Sequence, residues 1–222
     1  VTARLDGTQF ATGVAANATD IVDVRLGTSD ASSTMDIFYD DVAINDATGT
    51  NQTSYPGSGA IVHLRPNAAG DTNTALSGDY TDLDEINPDD ATTFVQFDTN
   101  GQLIDVNLDS SATGGIGSSD TITLVSVGLR IRFDAGIGTI DHISRLKSQA
   151  SGTTVTGTST IAVNAGAWQT NDDADPRNPK LVSYTDPQAG GAWTTSLLDT
   201  AQICDEIAGL GVGENGFLTA IW

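Results

Sequence analysis

The chain has 222 residues, enough for one large or two small domains, and its 24 glycines and low charged content of 17% fit many short strands joined by polar loops. Nine basic residues stand against 29 acidic ones, a net charge of −20, which repels nucleic acid and anionic membranes and argues against either as a partner. A single cysteine, Cys204, excludes an intrachain disulfide, and no apolar run approaches the ~20 residues of a membrane helix.

In chain order, Val1 to Leu5 and Thr8 to Val14 flank Asp6-Gly7, a hairpin dipeptide. Ile21 to Leu26 alternates and stops at Gly27, and a fourth strand is expected over 36–45, where Phe38, Val42 and Ile44 share a face. Four strands in so short a stretch do not make two good sandwich faces, so 1–47 is expected to need partner strands. The chain begins at Val1 and finishes at Ile221-Trp222, both inside strand-like runs, so we expect it to be part of a longer protein. Residues 46–59 have linker composition, with Tyr55-Pro56-Gly57 at the centre. The domains expected are 1–47 and 48–222.

Ala60 to Pro66 reads as a strand, and 67–91 as an acidic loop. Thr93 to Phe97 and Leu103 to Leu108 flank Asp98-Thr99-Asn100-Gly101, a second hairpin signal. Thr121 to Asp134 is the longest β run, with odd positions from Val125 facing one way and Arg130 and Arg132 the other. Residues 139–147 and 153–163 are expected to continue it as a meander, and Leu181 to Tyr184 is a short strand. Trp193, Leu197, Leu198, Ala201, Ile203, Ile207 and Leu210 recur at three to four residues and predict one helix, with Asp199 and Gln202 as a capping box and Gly209 as its stop. Gly216 to Trp222 begins a final strand. The fold class is all-β, a jelly-roll or β-sandwich in two β-domains, with a short helix near the C-terminus.

Several pieces carry a family likeness. Arg4-Leu5-Asp6-Gly7-Thr8, Val24-Arg25-Leu26-Gly27 and Phe38-Tyr39-Asp40-Asp41-Val42-Ala43-Ile44-Asn45-Asp46 resemble the C-terminal strands of a laminin-G/concanavalin-like jelly roll. Tyr55-Pro56-Gly57, Val62 to Asn67, Asn87 to Thr93, Gly191-Ala192-Trp193-Thr194 and Leu218 to Trp222 are similar to a β-domain downstream of such jelly rolls in tailed-phage virion proteins. The resemblance implies an accessory structural protein on the head or tail of a virion, partnered by capsid or tail subunits and by copies of itself. It implies no catalytic residues and no cofactor. The alternative class is a carbohydrate-binding module or adhesin, whose partner is a glycan.

Candidate chemistry is sparse. Asp82, Asp84, Asp89 and Asp90 lie in one loop and Asp172, Asp173 and Asp175 in another; hard cations take oxygen ligands from such loops, so these are calcium candidates, although solvated loops are the favoured reading. His63 and His142 lie apart, without neighbouring ligands, and are read as packed or surface residues. Cys204 is read as a buried, inert thiol. Arg130, Arg132, Arg145 and Lys147 hold four of the nine basic residues; if their strands pair, they form a basic stripe suited to docking an acidic neighbour, with a solvated strand face as the plainer reading.

Overall fold

A computed structural model describes residues 59–85, 88, 90–134, 139–148, 154–162, 168–170 and 181–222, together with strands 2–5 and 8–12; of those two strands and of 139, 155–162 and 170 only the backbone is described. The chain divides into two compact units, Val1–Ile61 and Val62–Trp222. In the first, β1 (Thr2–Leu5) pairs antiparallel with β2 (Thr8–Thr12), Leu5 opposite Thr8, as Asp6-Gly7 predicts. The strands expected at 21–26 and 36–45 lie outside the described residues.

The second unit is an all-β sandwich. Its strands are β3 (Pro66–Asn73), β4 (Val95–Phe97), β5 (Leu103–Leu108), β6 (Val125–Val127), β7 (Leu129–Phe133), β8 (Thr139–Lys147), β9 (Thr154–Ala162), β10 (Gln169–Thr170), β11 (Leu181–Ser183), β12 (Gln202–Ala208) and β13 (Gly216–Ile221). A five-stranded antiparallel sheet runs β3-β5-β12-β8-β9 and a four-stranded one β10-β7-β13-β4, with β11-β6 as a small pair. Their inner faces meet in one core. Val95, Phe97, Leu129, Ile131, Phe133 and Leu218 come from one sheet, and Ile104, Val106, Ile140, Leu146, Ile203 and Ile207 from the other. The alternation read in β7 is present: Leu129, Ile131 and Phe133 are buried, while Arg130 and Arg132 are half-buried on the other face.

Three features differ from the sequence reading, two of them because the chain passes between sheets. Asp98 to Gly101 does turn, with Gly101 at φ 85° and Gln102 N–H donating to Thr99 O. Yet β4 and β5 do not pair; the turn is an arch from one sheet to the other. The run 121–134 is two strands, broken at Gly128, and β8 pairs with β12 and β9, not with β7. The strand expected over 60–66 begins only at Pro66 and extends to Asn73, inside the stretch read as loop.

The helix is shorter than its periodicity suggested. It is α1 (Thr195–Leu198), capped by the Thr194 hydroxyl, which accepts from Leu197 N–H at 3.2 Å. Asp199 ends it instead of capping it, and Gln202–Ala208 is the central strand of the five-stranded sheet. Ile203 and Ile207, four apart, share a face in a strand as well as in a helix. Because β12 is buried on both faces, its apolar residues do not alternate cleanly, so the period of two was masked.

Candidate functional site

The four basic residues singled out from the sequence fall on two outer sheet faces, and a polar cluster that includes His142 lies between the sheets. On the outer face of the four-stranded sheet, Arg130 makes a bidentate pair with Asp90: Nε donates to Oδ1 at 2.8 Å, and Nη2 donates to Oδ2. That hydrogen bond holds the Arg130 guanidinium above its usual pKa. One calcium candidate and one docking candidate are thus partners of each other. Arg132 lies between two rings, its guanidinium carbon 5.0 Å from the Trp168 centroid and 4.6 Å from that of Phe217. Trp168 Nε1 donates to Asp90 O at 3.0 Å, which joins the two arginine sites into one layer.

Arg145 and Lys147 lie on the outer face of the other sheet, so the single basic stripe does not form: β7 and β8 belong to different sheets. Lys147 Nζ donates to Asp71 Oδ2 at 3.1 Å and to Asp105 Oδ2 at 3.2 Å. Gln202 Nε2 donates to Asp71 Oδ1 at 3.1 Å and to Asn107 Oδ1 at 3.0 Å, and Arg145 pairs with Glu206. The sequence allows this network through Gly70. A Cβ there would lie 2.6 Å from the Asp105 carbonyl carbon, so only glycine lets β3 fold over β5 and bring Asp71 above Lys147. Burial opposes the Lys147 charge, but the bonds from Asp71 and Asp105 outweigh it and raise its pKa. Cys204 lies in the same face, opposite Asp105 and Arg145; burial first, then the Asp105 and Asp205 charges, push its thiol up, which keeps it unreactive.

The remaining acidic candidates divide. Asp82 Oδ2 accepts from Asp79 N–H at 2.9 Å while Asp79 Oδ1 accepts from Thr81 N–H at 2.8 Å, a reciprocal cap on the 3-10 turn Tyr80–Asp82. Asp84 offers its backbone carbonyl to Arg65 at 3.3 Å. Asp89, Asp172, Asp173 and Asp175 lie outside the described residues. Among the described residues no group of three or more acidic, His or Cys side chains could hold a metal ion. His63 is exposed and meets the Trp222 ring edge-on, with centroids 5.7 Å apart.

Sequence reading missed the polar cluster between the sheets. His142 Nδ1 lies 2.5 Å from Asp205 Oδ2, both side chains at 0% exposure. Ser144 stands directly opposite Asp205 on the neighbouring strand at 1% exposure. His142 Nε2, Ser144 Oγ and Asp205 Oδ1 have no partner among the described residues. The residue types of a hydrolase triad meet here, with the carboxylate on Nδ1 as a triad requires. But the Ser144 hydroxyl makes no bond to Nε2, and Phe133 packs against the imidazole with centroids 5.3 Å apart. The pair closes the β8–β12 seam within the core. Its sequence signal was slight: Asp205 falls two residues from both Ile203 and Ile207, on the face that they bury.

Comparison with known proteins returns no match to the chain, whether with family models, with curated proteins or with solved structures.

Proposed function

We propose that this protein is a non-enzymatic structural component of a tailed-phage virion, an accessory protein decorating the particle surface and docking to capsid or tail subunits and to further copies of itself. The order of the segments resembling phage virion β-domains motivates this reading. The observation that carries it is the use made of the charged groups. Asp90 with Arg130, Asp71 and Asp105 with Lys147, and Glu206 with Arg145 tie together segments distant in sequence. Such ties suit a sandwich whose work is to hold a shape and present a surface.

Cross-linking mass spectrometry on purified particles carrying the chain tests this. Cross-links to capsid or tail subunits are expected; recovery only as a free monomer, absent from particles, overturns the proposal. A glycan array run with and without chelator covers the adhesin alternative. Tight binding lost on chelation would replace the structural reading with a calcium-dependent lectin.

A further inference from the structure

The sequence contains two Asn-Gly pairs, Asn100-Gly101 and Asn215-Gly216, and both lie where the chain crosses between the sheets. The first is in the arch from β4 to β5. The second ends the connection from β12 to β13. Asn100 clamps the backbone of Leu210 from both sides: Oδ1 accepts from Leu210 N–H at 2.7 Å and Nδ2 donates to Leu210 O at 3.1 Å. Asn215 Nδ2 donates to Asp134 Oδ2 at 2.6 Å, and its Oδ1 accepts from Gln96 Nε2 at 3.1 Å. Asp134 follows β7, where the third crossing begins, and Asp134 Oδ1 also accepts from Asn215 N–H at 2.9 Å. Two side-chain amides therefore tie these three crossings together at one end of the sandwich.

Asn-Gly is also the dipeptide most open to deamidation, because glycine places no side chain in the path of ring closure. The backbone nitrogen of the glycine loses its proton and attacks Cγ of the asparagine. The Cγ–Nδ2 bond breaks and ammonia leaves, giving a five-membered succinimide. Water then opens the ring at either carbonyl to give aspartate or isoaspartate. One water is consumed and one ammonia released, with no change of oxidation state.

We propose that Asn100 and Asn215 are latent deamidation sites, held unreacted by the fold and converted once this end of the sandwich opens. The geometry blocks both attacks. Gly101 N–H donates to Ile207 O at 2.8 Å, and the Leu210 clamp holds the Asn100 amide away from it. Gly216 is paired on both sides, with Phe97 and Phe133, so its backbone is held in the ladder, while the bonds with Asp134 and Gln96 hold the Asn215 amide. The product cannot restore the clamps. At Asn100 a carboxylate oxygen replaces the N–H facing Leu210 O, and at Asn215 it faces the Asp134 carboxylate. Each conversion is an irreversible step that leaves the crossings untied.

Peptide mapping by mass spectrometry after incubation at mildly alkaline pH, native and in denaturing urea, tests this. Conversion at both asparagines is expected in urea, slowed in the native protein by roughly thirtyfold or more, the worth of two hydrogen bonds that must open together. Equal rates in the two states, or no conversion in urea, overturn the proposal. Asn100→Asp and Asn215→Asp, read by urea midpoint, are expected to be less stable than the parent, whereas an unchanged midpoint in both overturns the claim that conversion unties the crossings.

Discussion

Removing one partner of the buried His142–Asp205 pair is expected to damage the sandwich far more than removing both. In His142→Leu the Asp205 carboxylate keeps its position at 0% exposure and loses its Oδ2 bond to His142, while Oδ1 has no partner among the described residues. An uncompensated buried charge of this kind costs about 3–5 kcal/mol. With a urea slope of about 2 kcal/mol/M, a loss of about 4 kcal/mol lowers the midpoint by about 2 M. Asp205→Leu strips the imidazole of its partner and is expected to lose a similar amount. The double variant buries two apolar side chains beside Phe133 and Ile104, and its loss is expected to be below that of either single variant. Tryptophan fluorescence reads the transition of the right unit, since Trp168, Trp193 and Trp222 all lie within Val62–Trp222. Single losses below about 1 kcal/mol, or losses that simply add in the double variant, would refute the reasoning.

Three further outcomes are expected. Gly128→Ala places a Cβ 2.4 Å from the Trp222 ring, which the backbone pair between Gly128 and Trp222 keeps in place; a loss of about 1–3 kcal/mol by urea denaturation is expected, against almost none for Gly191→Ala, where the space is open. The folded pKa of Lys147 is raised, so its contribution is fully present below the unfolded value of about 10.4 and is lost as pH rises through the higher folded value; stability followed by circular dichroism should fall on that alkaline limb, and Lys147→Met should flatten it. Asp79 is lowered, chiefly by its bonds from Thr81, so its contribution is present above about pH 3.9 and lost as pH falls through the folded value; Asp79→Ala should cost about 1 kcal/mol at neutral pH in the same urea assay and progressively less in acid.

Strands with one buried face were legible in the sequence. Alternation placed β7, and turn chemistry placed the bend at Asp98–Gly101 and the hairpin at Asp6-Gly7. Pairing was not legible, because a tight turn looks the same whether it joins neighbours in one sheet or arches to the other. The central strand β12 was hidden for a related reason: burial on both faces gave Ile203 and Ile207 a spacing that a helix shares. The site residues were recognised by type but not by partner. Asp90 and Arg130 are 40 positions apart, and His142 and Asp205 are 63 apart, so nothing local marks them as pairs.

The order in which the strands are made has a consequence for biosynthesis. β12 lies between β5 and β8, and β13 between β7 and β4, yet both follow all of these neighbours along the chain. A nascent polypeptide emerging from the ribosome therefore carries four strands waiting with exposed ladder edges, and neither sheet can close until residues 202–221 have been released. Such long-range closure is slow and leaves the growing chain open to pairing with other nascent chains. The high negative charge gives those intermediates mutual repulsion while they wait.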